Sequence, residues 1–317
     1  MNIKKIGLSA LAGSLVTTSA FAGAMSVAGS ASMNVEHTNG GFGNSGKTFS
    51  MSNQLTFSGS GELDNGLNVS LSFILDQGDN ETDSTTGAGT APFDSHSVSI
   101  SSDALGTLKL SGEGGSSATS ALDGTAAGDV WDNFDGTGDI TPTGIGTGNN
   151  MFMYTLPTLM DDLSVNISYL PNTTGADTAI GYSATFSGVE GLSVSYGTGD
   201  GTDSATDASV LKASYAYGPV TVAWSSYEYD TTGTSSDNET TSYKVTYTVS
   251  DDLSISYGAE TIEEGTSSDV ETDSIKASYT TGGMTISLAS EEIANSAGGA
   301  NATEDRERWA LGASFAF

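Results

Sequence analysis

The sequence predicts an all-β chain, a sixteen-stranded antiparallel transmembrane β-barrel. Three observations predict it. The chain ends on a strand in which Trp309, Leu311, Ala313, Phe315 and Phe317 share one parity and Arg308, Ala310, Gly312, Ser314 and Ala316 the other. A barrel in lipid must pair its last strand with its first, because an open edge leaves backbone groups without partners. Period-two alternation also recurs through the whole chain, and the connections between alternating segments are short and long in turn.

The elements follow in order. Met1-Asn2-Ile3-Lys4-Lys5 is a basic start, residues 6–16 are an apolar run, and Ala20-Phe21-Ala22 is a small-residue cleavage pattern. Together they predict a signal peptide over residues 1–22, with an apolar run too short to span as a helix. The mature chain, 23–317, is then a single barrel domain. Its strands are predicted to start near Met25, Lys47, Leu67, Ser95, Leu105, Asn150, Asp162, Thr178, Gly191, Ser209, Pro219, Thr240, Asp252, Asp273, Gly283 and Arg306. Parity justifies each. In Leu67-Asn68-Val69-Ser70-Leu71-Ser72-Phe73 every odd position is apolar, and Leu163–Tyr169, Leu192–Tyr196, Tyr243–Val249, Leu253–Tyr257 and Met284–Leu288 repeat the pattern. The other face is almost always Ser, Thr, Asn or Lys. A soluble sandwich alternates too. Tyr169, Tyr196 and Tyr257 end their apolar rows, however, where a barrel places its aromatic girdle.

Short turns at 187–191, 217–219, 250–252 and 280–283 contrast with polar loops at 80–92, 199–207, 230–238, 263–269 and 292–305. Seven short turns and eight longer loops put both termini on the periplasmic side of an even-stranded barrel. One segment breaks the rhythm. Residues 112–149 show no alternation, which is long for a structureless loop. This third long loop, bounded as 113–149, cannot face lipid but can fold into a water-filled lumen.

Charge and chemistry narrow the function classes. Without the signal segment seven Lys and Arg remain against 39 Asp and Glu, a net charge of −32, which excludes a nucleic-acid partner. Cys is absent, so no disulfide staples the fold. His37 and His96 form no triad with Ser and Asp, and zinc and phosphate-loop motifs are absent, so no catalytic residue is predicted. The competing reading from another class is a secreted or surface β-protein used for adhesion or an array. It would need neither a terminal Phe strand nor outward apolar bands.

With the signal segment, sixteen strands, the long third loop and the terminal Leu311-Gly312-Ala313-Ser314-Phe315-Ala316-Phe317, the chain resembles the general diffusion porins of Gram-negative outer membranes, of the alphaproteobacterial type. The resemblance implies an outer-membrane channel for small hydrophilic solutes and ions, a third loop that folds inward and constricts the pore, and a homotrimer. It also implies that Phe317 is an assembly signal for the outer-membrane insertion machinery. The chain departs from the family in its shortage of basic residues, where the family sets an arginine cluster against an acidic loop.

Parity places the few cations. Lys109, Lys212, Lys244 and Lys276 each lie between outward residues and therefore point into the lumen, as do Arg306 and Arg308. A Lys facing the bilayer midplane would cost about 2–4 kcal/mol. Opposite them the loop offers Asp123, Asp129, Asp132, Asp135 and Asp139. Such a transverse field would orient dipolar solutes and rank ions, and because it is near balance locally, the weak preference for cations comes from the net charge at the mouth. A channel specific for one substrate, such as a sugar, would need an aromatic track in the lumen, and most aromatics face outward. No cofactor is required. Asp129, Asp132 and Asp135 carry enough oxygens to suggest Ca²⁺, although their spacing is not that of the helix-loop-helix motif. The small residues of 24–31 would allow close contact between barrels. Acidic outer loops would meet lipopolysaccharide through divalent ions.

Overall fold

A computed structural model describes residues 25–40, 46–76, 93–134, 148–171, 178–201, 206–231, 237–264, 268–296 and 305–317. The predicted signal segment lies outside them, as do Asp135 and Asp139. The described residues form sixteen strands that close into one antiparallel barrel. These are β1 (Met25–Gly40), β2 (Gly46–Glu62), β3 (Asn68–Asp76), β4 (Phe93–Ser102), β5 (Gly106–Glu113), β6 (Met151–Thr155), β7 (Leu163–Leu170) and β8 (Ala179–Val189). They continue as β9 (Leu192–Asp200), β10 (Thr206–Tyr217), β11 (Val220–Thr231), β12 (Asn238–Ser250), β13 (Leu253–Glu264), β14 (Val270–Thr281), β15 (Met284–Ala294) and β16 (Arg306–Ala316). Every strand pairs with its sequence neighbours, and β1 closes on β16 from Ser30 opposite Ala316 to Gly40 opposite Arg306.

The two faces separate as lipid and water demand. Leu108, Leu110, Tyr182, Tyr196, Leu211, Trp224, Tyr243, Tyr257, Ile275, Leu288 and Trp309 stand exposed on the outer face. In hydrocarbon that exposure is burial, and the alternate positions carry Ser, Thr and Gly. The aromatics form two outer rows. Tyr215, Tyr247 and Tyr279 lie near the short-turn end, while Tyr182, Tyr196, Trp224, Tyr243, Tyr257 and Trp309 lie toward the long loops. Tyr243 and Tyr257 meet in a tilted contact, 6.3 Å between ring centroids.

The seam is closed to its last residue. Gly29 N–H donates to Phe317 O at 2.7 Å and Phe317 N–H to Gly29 O at 3.0 Å. The Phe317 ring lies over Gly29, where a Cβ would sit 2.3 Å from its Cε2, so the strand glycine is covered by a neighbouring aromatic.

Candidate functional site

The described first part of the third long loop, residues 115–134, runs along the inner wall. From its start next to β5 it meets side chains of the inner face on β7 through β15. Ala118 N–H donates to Ser168 Oγ, Ala126 N–H to Ser225 Oγ and Ala127 N–H to Ser242 Oγ, each at 2.9 Å. Farther along, Trp131 N–H donates to Glu260 at 3.3 Å and Asn133 Nδ2 to Glu291 at 3.2 Å. Thr125 Oγ1 also donates to Glu260. The wall serines supply the acceptors that a loop backbone needs away from bulk water.

Two apolar clusters hold the same segment. Ala127, Val130 and Phe134 pack on Ile262, Val270 and Ile293, while Leu122 packs on a patch of Ala179, Ala208, Val210 and Tyr227. A glycine makes room for the backbone: a Cβ on Gly258 would lie 2.7 Å from Ala127 Cβ. In a strand interior Gly weakens the sheet, and here it permits the close approach. The loop ends are tied together, because Gly115 and Gly148 exchange hydrogen bonds of 3.0 and 3.1 Å.

The described acidic loop residues come together. Asp123, Asp129 and Asp132 line one small cavity of about 170 Å³ with Gly124 and Trp131. Asp129 adopts the left-handed conformation, φ 50°, and its carboxylate accepts Thr125 N–H at 2.8 Å while Thr125 Oγ1 accepts Asp129 N–H at 2.8 Å. Burial, reinforced by the negative charge of Asp129, pushes the Asp123 carboxyl up to about 6. No cluster of three acidic or His side chains able to hold a metal occurs among the described residues, and the Ca²⁺ reading needs Asp135, outside them.

The cations divide. Lys212 donates to Gly124 O and so sits under the acidic segment. Lys244, Lys276 and Arg308 line a larger cavity of about 540 Å³ with Glu36, Glu291, Asn133 and wall serines. Lys276 bridges Glu291 at 3.0 Å, and Arg308 bridges both Glu291, at 2.5 Å, and Glu36. Lys109 stands exposed between outward Leu108 and Leu110, opposite Ser99 and Met153. Arg306 is buried, donates to Ser296 Oγ at 3.0 and 3.2 Å, and lines a separate cavity near the long-loop end with Glu271, Asp273 and Glu292. The wall is thus a paired network rather than a bare basic surface. Glu36, Glu260 and Glu291 are the residues that a search for inward cations passes over. The same parity rule reveals them, since each is an acid at an inward position.

A family model described as Gram-negative porin matches residues 7–272. No curated protein matches the chain. Among solved structures, engineered variants of the Rhodopseudomonas blastica porin share 15–16% identity with it at a TM-score of 0.68. Each comparison covers 93% of this chain and 100% of the other. A protein solved in work on the asymmetric conductivity of engineered proteins aligns equally well, at 15% identity. At such identity the structural likeness is one of fold, and it agrees with the closed sixteen-strand barrel. The family match covers most of the chain, and with the barrel it identifies a channel rather than an enzyme. The chain belongs to the Gram-negative porin family and is a diffusion channel of the outer membrane.

Proposed function

We propose that this chain passes small hydrophilic solutes and ions without a dedicated binding site, through a lumen narrowed by residues 113–149, with a weak preference for cations. The observation that carries the reading is the third loop fastened across the inner faces of β7 to β15. That arrangement leaves a polar cavity between Asn133 and the β12–β16 wall, lined also by β1 and β2. Asp123, Asp129 and Asp132 stand on the loop, while five charged wall groups largely neutralise one another. The net charge of −32 then dominates at the mouth. At low salt, where the Debye length is about 30 Å at 0.01 M, that field enriches cations.

The remaining features of the reading follow the family. Residues 1–22 direct export and are removed, three copies associate, and Phe317 presents the chain to the insertion machinery. Beyond the aromatic row on the long-loop side, exposed acids face one another across strands: Glu228 opposite Glu239, Glu239 opposite Glu263, and Glu292 opposite both Asp273 and Glu307. Like charges directly opposite are unfavourable, so this belt would recruit divalent cations and through them lipopolysaccharide phosphates.

Reversal potentials across planar bilayers in a salt gradient test the proposal. The expected sign is cationic, weakening as salt rises and as pH falls from 7 to 5, because Asp123 takes up a proton near 6 and the loop loses a negative charge. Replacing Asp132 and Asp135 with Asn should weaken the preference, and replacing Lys212 and Lys244 with Gln should strengthen it. An anionic sign at low salt would contradict the reading.

A further inference from the structure

Glu291 lies on the inner face of β15 and is 2% exposed, yet its carboxylate meets donors from three different elements. Oε1 accepts from Lys276 Nζ of β14 at 3.0 Å and from Asn133 Nδ2 of the loop at 3.2 Å. Oε2 accepts from Arg308 Nη1 of β16 at 2.5 Å. Arg308 reaches on to Glu36 of β1, with Nε at 3.0 Å. Lys244 lines the same cavity and has no ion-pair partner among the described residues.

We infer that Glu291 is a positioning residue that sets two properties of the passage at once. It fixes where the loop lies at Asn133, and it determines how much positive charge the neighbouring wall presents to a passing ion. The inference rests on the lumen being the solute path. A buried carboxylate with several donors holds each of them, and removing its charge leaves the partner cations uncompensated. With Glu291 ionised, three cations in the cavity (Lys244, Lys276 and Arg308) face two carboxylates. Without its charge they face one. The two properties are separable by chemistry. A glutamine at this position keeps an oxygen for the Asn133 amide but drops the charge, whereas loss of the Asn133 side chain removes the loop contact and leaves both ion pairs.

Planar-bilayer recordings of the full-length chain test this with three variants. Glu291→Gln should lower the cation-to-anion permeability ratio by roughly fourfold, since one unit charge about 10 Å away in water changes cation and anion about twofold each in opposite directions. Its unit conductance should stay near wild type. Asn133→Ala should keep the ratio and change the unit conductance and open-channel noise, because the loop loses its tether to Glu291 at this point. Lys276→Gln, which leaves Arg308 as the one cation paired with Glu291 among the described residues, should raise the ratio, and it keeps the test valid where Glu291→Gln fails to assemble. An unchanged ratio in Glu291→Gln or in Lys276→Gln overturns the inference. So does an Asn133→Ala variant that shifts the ratio as far as Glu291→Gln, since a merely structural role would do that. A wild-type chain that carries no current overturns the passage reading and this inference with it.

Discussion

Deleting Phe317 should remove most of the assembled barrel from the outer membrane. Its backbone makes the two hydrogen bonds that finish the β1–β16 seam at Gly29, and its ring covers that glycine. Without it, Gly29 keeps an N–H and a C=O with no strand partner at the membrane edge. Leaving such groups unsatisfied costs about 1–3 kcal/mol each, and more in hydrocarbon. Phe317→Ala separates backbone from ring. It retains both hydrogen bonds, so a defect as deep as that of the deletion would assign the loss to the aromatic side chain, as expected for a recognition signal. The amount of folded, heat-modifiable protein in outer-membrane fractions reads the effect. Normal levels in the deletion strain would rule out this role.

Excising residues 116–147 should raise unit conductance severalfold while leaving the barrel closed. Gly115 and Gly148 already face each other across an antiparallel bridge, so a short turn can join them. No strand pairing depends on the loop, because each of the sixteen strands has both of its neighbours without it. The excision does remove the two apolar clusters built on Val130, Phe134 and Leu122, and it exposes Glu260 and Glu291 to lumen water. The barrel should therefore unfold at a lower temperature than wild type. Conductance equal to wild type in single-channel recordings would mean that this segment does not narrow the path.

The strand count was legible because lipid on one side and water on the other force a period of two on every spanning segment. Strand ends were less so. The strands expected from Ser209 and Asp273 begin at Thr206 and Val270, because beyond the membrane both faces turn polar and parity loses its contrast. The alternation of short and long connections was legible only in part: the first loop, 41–45, is no longer than the first turn, 63–67, and the turn at 156–162 is longer than the loop at 201–205. The path of the loop was not legible. Its signs are exceptions to the rule that found the strands: Val210, Tyr227, Ile262, Val270 and Ile293 are apolar at inward positions, and they mark where the loop lies. Parity likewise gave the direction of Lys212, Lys276 and Arg308 but not their partners. Partners depend on which strands lie side by side and at what height, and register comes from the closed sheet. Asp123, Asp129 and Asp132 were found as a group because the loop keeps them close in sequence.

Uptake of uncharged solutes into vesicles carrying the purified protein tests the central claim, an open and non-specific aqueous path, most directly. Swelling rates for a series of sugars of increasing size should fall smoothly with solute size and rise linearly with concentration. Swelling no faster than in protein-free vesicles, or a rate that saturates for one sugar alone, would contradict it.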